Sequence, residues 1–120
     1  MGKKILLVED EFNIRQNIKA LLELEEFEVI DVVNGIEALS AIETKPFDLI
    51  ISDIMMTAMN GIELLNLIRS KAGTKPIPVI LVTAKPQREI TDFLKDGNTF
   101  YLAKPFSFDQ LIFSVQQALQ

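Results

Sequence analysis

The sequence predicts an α/β protein, in which a doubly wound sheet of five parallel strands carries five helices on its two faces. Two observations support this fold class. Short runs of apolar, often β-branched residues alternate with segments of helical periodicity, and each run is apolar on both faces, as buried parallel strands are. The five runs are residues 5–8, 29–33, 49–52, 79–82 and 100–102.

Each strand is followed by a segment with a helical signal. In the first segment four apolar residues recur at helical spacing, namely Ile14, Ile18, Leu21 and Leu22. The fourth segment begins at Pro86, which fits the first turn of a helix because its missing N–H has no partner there. The other three begin with a side chain that can cap a helix, followed three residues later by Glu or Gln. These pairs are Asn34 with Glu37, Asn60 with Glu63, and Ser107 with Gln110.

Composition narrows the classes of function. The 120 residues predict one domain, over positions 1–120, with a net charge of -5 and no basic run beyond Lys3 and Lys4, which argues against direct nucleic-acid binding. No apolar stretch approaches the ~20 residues of a membrane span, and no secretory leader is recognisable, so the expected location is the cytoplasm. Because the chain has no Cys and no His, any metal site must be built from oxygen ligands.

Polar residues cluster at the predicted carboxyl ends of the strands. Glu9, Asp10, Asp53, Thr83 and Lys104 each stand at or just after such an end. In an open α/β sheet the binding site lies beyond these ends, where the strand order reverses. Carboxylates brought together there repel one another, and a hard cation such as Mg²⁺ would relieve the repulsion.

Four segments at these strand ends resemble the receiver domain of two-component response regulators. They are Val8-Glu-Asp-Glu11, Ser52-Asp-Ile-Met-Met56, Thr83-Ala84 and Tyr101-Leu-Ala-Lys-Pro-Phe106. The resemblance covers essentially the whole chain. It implies a flavodoxin-like fold with strand order 2-1-3-4-5, the order known for the chemotaxis member of that family.

The resemblance also implies roles for individual residues. Asp53 would accept a phosphoryl group from a phosphohistidine on a sensor histidine kinase or a histidine phosphotransfer protein. Mg²⁺, or Mn²⁺ in its place, would be held by Glu9, Asp10, Asp53 and the backbone carbonyl of Met55, with Asp10 bound directly and Glu9 further out. Lys104 would neutralise the phosphoryl oxygens, as a single positive charge can. Such a protein is a switch that catalyses its own phosphorylation and slow dephosphorylation, not a turnover enzyme.

The same resemblance predicts a switch and two partner surfaces. Thr83 would move toward the phosphoryl group, Tyr101 would turn inward behind it, and the Lys104–Pro105 peptide would be cis. An effector domain or protein would bind at the face of Tyr101 and Phe113, formed by the fourth helix, fifth strand and fifth helix. Phe113 falls off the apolar stripe of the last helix, and Phe12, off the first helix's stripe, is a candidate docking point for the phosphodonor.

Departures and alternatives remain open. Thr57 stands where the family usually has Pro, which predicts a more mobile loop after Asp53. A flavodoxin-type cofactor binder would need a phosphate-cradling loop after the first strand instead of three acids, and a haloacid-dehalogenase-type phosphatase would need Asp where Met55 stands. The serious alternative is a pseudo-receiver, a protein-binding module that is not phosphorylated. Because no effector domain follows the last helix, the expectation is a stand-alone regulator or an excised receiver.

Overall fold

A computed structural model describes residues 2–56 and 58–120. Its five strands are β1 (Lys4–Val8), β2 (Glu28–Val32), β3 (Leu49–Asp53), β4 (Val79–Thr83) and β5 (Thr99–Ala103). All neighbouring strands pair in parallel, in the order β2-β1-β3-β4-β5. The predicted fold class and strand order are therefore confirmed, and the predicted strand bounds are correct to within a residue or two.

The described residues form four α-helices: α1 (Phe12–Leu24), α2 (Gly35–Thr44), α3 (Gly61–Ser70) and α4 (Phe108–Ala118). All three predicted cap residues accept a hydrogen bond from the backbone N–H three residues later, and α3 and α4 begin with complete capping boxes. No helix within residues 2–56 and 58–120 combines the length and the apolar character that crossing a membrane requires.

The predicted fourth helix is wrong. Between β4 and β5 the chain makes two short 3₁₀ turns, Gln87–Glu89 and Thr91–Leu94, instead of an α-helix. Pro86 precedes the first turn in an extended conformation and has no side chain that can cap it. Ile90 then leaves helical geometry at φ -124° and ψ 11°, and its neighbour Thr91 is also β-branched, a pairing that disfavours helix. The expected partner face therefore consists of these turns, β5 and α4.

Two apolar cores cover the two faces of the sheet, as double winding requires. On one face, α1 and α4 pack through Ile18, Leu22, Leu111 and Val115 against alternate strand residues. On the other, α2, α3 and the 3₁₀ turns pack against the remaining strand residues. Because side chains alternate along a strand, each strand contributes to both cores, and the sheet is a rigid platform for the loops at its ends.

The buried stripe of α1 differs from the prediction. Ile14 is exposed, whereas Arg15 is buried in line with Ile18 and Leu22. Residues three and four apart share one face of a helix, so positions 15, 18 and 22 form the stripe that meets the sheet. Arg15 therefore occupies a place where an apolar residue would be expected.

Arg69 links the parts of the chain that enter β4 and β5. Its guanidinium donates to Asp96 Oδ2 at 2.8 Å, to the backbone carbonyls of Lys75, Ile77 and Asn98, and to the Thr99 hydroxyl. Burial opposes ionisation of Asp96, but hydrogen bonds from Asn98, Arg69 and Thr99 outweigh it, and the pKa of Asp96 is lowered below its usual value. The Arg69–Asp96 network lies at the amino ends of the strands.

Replacing Asp96 with Asn should make the free energy of unfolding depend less on pH in the acidic range. A lowered folded-state pKa adds stability that is present above the unfolded pKa and is lost as pH falls through the folded pKa. We therefore expect Asp96→Asn to lower the free energy of unfolding at pH 7 by roughly 1 kcal/mol, with the deficit shrinking as pH falls below about 4. Urea unfolding across this range measures both. Asp92→Asn is the control, because the Asp92–Lys95 ion pair is exposed. A deficit that persists unchanged into acid would contradict the assignment.

A pair of substitutions in α4 tests which of its faces is buried. Leu111 is fully buried between α4 and the sheet, whereas Phe113, two residues further on, is 65% exposed. We expect Leu111→Ala to lower the free energy of unfolding by about 2–5 kcal/mol because it leaves a cavity. Phe113→Ala should change it by no more than ~0.5 kcal/mol. Equal losses in urea unfolding would mean that α4 packs differently.

Candidate functional site

The acidic residues predicted at the strand ends lie together. Asp53 is the last residue of β3, and Glu9 follows β1 directly, while β1 and β3 are hydrogen-bonded neighbours. One carboxylate oxygen from each of Glu9, Asp10 and Asp53 lies within 4.8 Å of the others. Glu9 and Asp53 are buried and Asp10 is exposed. Three carboxylates so arranged offer only hard oxygen ligands, which suit Mg²⁺ or Mn²⁺.

The electrostatic cost of this arrangement appears in Glu9. The pKa of Glu9 is raised to about 7: burial raises it most, a hydrogen bond from the Glu11 backbone N–H lowers it, and the nearby Asp53 carboxylate raises it again. A carboxyl group with this pKa is partly protonated at neutral pH unless positive charge arrives. The shift is due mainly to burial, and positive charge brought to the site would oppose it.

Lys104 supplies one positive charge. Its Nζ lies 2.6 Å from Asp53 Oδ2 and 3.7 Å from Glu9 Oε1. Its backbone N–H donates to the Thr83 carbonyl, which places the end of β5 beside the end of β4. Burial disfavours the ammonium, but the hydrogen bond and charge of Asp53 outweigh it, and the pKa of Lys104 is raised. The peptide between Lys104 and Pro105 is cis, as the family resemblance implies.

The Asp53 carboxylate is held through both oxygens. Oδ1 accepts the Met55 N–H at 3.1 Å, while Oδ2 takes the Lys104 ammonium. On the main chain, the buried Ser52 hydroxyl donates to the Asp53 carbonyl at 2.9 Å. Asp53 is thus oriented at the sheet edge by two neighbours in sequence and by one residue from β5's end. The direction of the Met55 carbonyl toward a cation stays a prediction, and Thr57 lies outside the described residues.

Gly61 lets the loop after Asp53 fold back tightly. It begins α3, and a Cβ on this residue would come within 2.9 Å of Ile54 Cα and closer still to the Asp53 carbonyl oxygen. Its N–H donates to the Ile54 carbonyl at 3.0 Å. Any side chain here would therefore push α3 away from the end of β3, and sequence reasoning did not identify this requirement.

The two predicted switch residues are joined through Lys85. Buried Thr83 accepts the Lys85 N–H at its hydroxyl oxygen, at 3.0 Å, and the Tyr101 hydroxyl donates to the Lys85 carbonyl at 2.9 Å. A hydroxyl can accept and donate at once, so Thr83 can keep this bond while donating to an incoming oxygen. Any movement of the loop after β4 would therefore disturb the hydrogen bonds of both Thr83 and Tyr101.

Arg15 is a second residue near the site that sequence reasoning missed. Its guanidinium donates to the Glu9 backbone carbonyl at 2.9 Å and to Asp31 Oδ2 at 3.1 Å. A signal for it exists in the sequence, because Arg15 interrupts the apolar stripe of α1 while Asp31 interrupts the apolar run of β2. A buried charge requires a partner, and these two interruptions are partners.

The two aromatic residues predicted to mark partner surfaces are both exposed. Phe12 begins α1 beside the acidic cluster, and Phe113 lies on the outer face of α4. A groove of about 400 Å³ at Phe113 is lined by residues of β5 and α4 and by Pro105. A second groove of similar size adjoins Lys104 and is lined by Ile14, Ala84, Pro105 and Phe106.

A substitution at Gly61 tests the tight approach to Asp53. We expect Gly61→Ala to lower the free energy of unfolding by about 1–3 kcal/mol, because the methyl group overlaps the end of β3. Gly73→Ala is the matched control: no atom lies within 4 Å of the added carbon, and the change should be neutral or stabilise by at most ~1 kcal/mol. Urea unfolding measures both variants. Equal effects would show that the approach at Gly61 is not tight.

Comparison with known proteins identifies the family. The family model for the response regulator receiver domain matches residues 5–116. The nisin biosynthesis regulatory protein NisR of Lactococcus lactis is 38% identical over 117 residues, which are 97% of this chain and 50% of NisR. The chain thus spans about half the length of the curated relatives it matches.

Solved structures agree over nearly the full chain. Chemotaxis response regulator CheY4 of Vibrio cholerae superposes with a TM-score of 0.91 at 32% identity, covering 99% of this chain and 100% of CheY4. Response regulator TrrA of Thermotoga maritima, solved in complex with Mg²⁺ and BeF, gives 0.85 at 36% identity, covering 98% and 99%. The fold, the site and these matches together show that the chain belongs to the response regulator receiver domain family.

Proposed function

We propose that residues 1–120 form a single receiver domain that takes a phosphoryl group from a partner's phosphohistidine onto Asp53. The observation that carries this proposal is the hydrogen bond of 2.6 Å between Lys104 and Asp53 inside a cluster of three carboxylates. An Asp with a purely structural role at a strand end needs neither the lysine nor the neighbouring carboxylates. An aspartate that accepts a dianionic phosphoryl group needs both, because the reaction brings negative charge to a site that already holds carboxylates.

The chemistry uses the chain's own groups in simple roles. An oxygen of the Asp53 carboxylate attacks phosphorus and forms the new P–O bond, while the P–N bond to the donor imidazole breaks and its electron pair returns to the ring nitrogen. Lys104 begins on Asp53 Oδ2 and can follow the charge onto the phosphoryl oxygens. The Thr83 hydroxyl can donate to another of these oxygens. No general base is required, because the nucleophile is a carboxylate oxygen that is paired with the Lys104 ammonium.

The residues present fit a bound Mg²⁺. Glu9, Asp10 and Asp53 supply carboxylate oxygens that are close enough together to bind one ion. We assign the backbone carbonyl of Met55 as a further ligand. Asp10 would bind the ion directly, and Glu9 would lie further from it. Bound there, the ion would neutralise the phosphoryl and carboxylate charge and would oppose the rise in the pKa of Glu9, which is due mainly to burial. TrrA, a relative at 36% identity, was solved with Mg²⁺ and BeF, which supports this assignment.

Phosphorylation would then bias a switch. Thr83 and Tyr101 are both bonded to Lys85, so movement of Thr83 toward the phosphoryl group would disturb the bond that holds the Tyr101 hydroxyl outward. Turning Tyr101 inward changes the face that it shares with Phe113. An effector domain or protein at that face would distinguish the two states.

We place the phosphodonor on a different surface from the face of Tyr101 and Phe113. A sensor histidine kinase or a histidine phosphotransfer protein would dock near exposed Phe12 and the groove at Ile14 and Phe106, which border Lys104. Such a donor acts in the cytoplasm, and this is where we place the domain. It would be a switch and not an enzyme with turnover.

Intact-protein mass spectrometry after incubation with acetyl phosphate tests this function. We expect one phosphoryl adduct on the wild type in Mg²⁺, none in excess EDTA, and none on Asp53→Asn, which keeps the side chain's shape. Asp48→Asn is the matched control, because Asp48 is exposed near the other end of β3, and its adduct should persist. Lys104→Ala should slow labelling roughly 10²-fold or more.

An absence of adduct on the wild type in Mg²⁺ would contradict the proposal and would favour the pseudo-receiver, a protein-binding module without phosphorylation. An adduct that survives in Asp53→Asn would move the phosphoacceptor to another residue.

A further inference from the structure

Arg15 is placed where a positive charge is costly. Among the described residues it is the one basic side chain that is buried, with 8% of its surface exposed. Burial of a charged group lowers stability unless the group is paired and hydrogen-bonded, so such a residue is kept for the contacts it makes. Its hydrogen bonds all lead to the acidic loop between β1 and α1 or to the strand beside it.

The guanidinium bridges three elements. It projects from α1, donates through Nη1 to the Glu9 carbonyl at 2.9 Å and through Nε to Asp31 Oδ2 on β2 at 3.1 Å. The Phe12 ring lies against it, with 5.5 Å from Cζ to the ring centroid. The planar guanidinium holds its donors in a fixed geometry, which a flexible ammonium cannot reproduce.

Asp31 in turn gathers the polar face of α1. Its Oδ2 also accepts from Gln16 at 3.1 Å, and its Oδ1 accepts from Lys19 at 3.1 Å. Burial opposes its ionisation, but the bonds to Lys19 and Arg15 outweigh this, and the pKa of Asp31 is lowered. Asp31 therefore remains ionised at neutral pH and fixes the orientation of the Arg15 guanidinium.

The contact made by Arg15 acts on the backbone of Glu9. Its N–H donates to the Val32 carbonyl at 3.1 Å, its carbonyl accepts from Arg15, and its carboxylate accepts the Glu11 N–H. Arg15 is the one partner of these three that comes from a helical side chain. Removing it would release the carbonyl side of the peptide that joins Glu9 to Asp10, which sets where the Asp10 carboxylate points.

We infer that Arg15, oriented by Asp31, is a positioning residue for the metal site: it fixes the Glu9–Asp10 peptide so that both carboxylates face Asp53. This inference rests on the proposed function, since it concerns the affinity of the same site for Mg²⁺. Arg15 is not one of the assigned ligands of the ion, and its hydrogen bonds go to Asp31 and to the Glu9 carbonyl. It acts through the backbone, as residues behind metal ligands commonly do.

The Arg69–Asp96 network provides a control within the same molecule. Both arginines project from a helix and donate to one aspartate and to at least one backbone carbonyl. Arg69, however, lies at the amino ends of the strands, away from the acidic cluster. The same Arg→Lys change at both positions keeps the positive charge but removes the planar guanidinium. Comparing the two variants therefore separates a loss of stability from a loss of positioning at the metal site.

The test is a Mg²⁺ titration of the wild type, Arg15→Lys and Arg69→Lys, followed by two-dimensional amide NMR at a temperature where each is folded. We expect Arg15→Lys to raise the Kd for Mg²⁺ roughly tenfold or more. Arg69→Lys should lose stability in urea yet bind Mg²⁺ like the wild type. Asp31→Asn should give a smaller rise in Kd than Arg15→Lys, and Asp96→Asn none.

Wild-type affinity in Arg15→Lys, or an equal loss in Arg69→Lys, would overturn the inference while leaving the proposed function intact. If Arg15→Lys does not fold, the Kd values of Asp31→Asn and Asp96→Asn for Mg²⁺ are compared instead. Equal values for these two variants would overturn the inference. If the wild type itself does not bind Mg²⁺, the proposed function fails and this inference with it.

Discussion

The constraint on which this structure depends is the confinement of three carboxylates beside one ammonium group. Glu9, Asp10 and Asp53 offer oxygens within 4.8 Å of one another, and the Lys104 ammonium forms ion pairs with Asp53 and Glu9. Two like charges at this separation repel by about 3 kcal/mol at an effective dielectric constant of about 20. Burial of Glu9 and Asp53 adds to the cost. Lys104 offsets part of this cost, and a bound cation would offset more of it.

The rest of the fold holds that cluster in place. Parallel pairing of β1 with β3 brings Glu9 and Asp53 to one edge, and pairing of β4 with β5 brings Lys104 to the same edge. Strands buried on both faces keep this edge rigid, since neither core can shift without exposing apolar surface. The loops are then tied individually: Gly61 lets α3 close onto Asp53, and Arg15 holds the backbone at Glu9.

Much of this could be predicted from the sequence, for physical reasons that vary by element. The strands were predictable because residues such as those of β4 are apolar on both faces, and the helix starts because Asn60 and Ser107 cap their own chain locally. The strand order came from the family resemblance. The fourth helix was not predictable from Pro86 alone, because the geometry at Ile90 decided it. Arg15 and Gly61 were missed because their roles depend on contacts between elements, which local patterns do not contain.

The most direct test of the central claim is the free energy of unfolding as a function of Mg²⁺ concentration at constant ionic strength. If the carboxylate cluster binds one ion in the folded state alone, the free energy should rise by about 1.4 kcal/mol for each tenfold increase in Mg²⁺ above the Kd. The Asp10→Asn variant should lose most of this dependence. A wild-type stability that does not change with Mg²⁺ would contradict the account, because the crowded carboxylates would then be balanced without a cation.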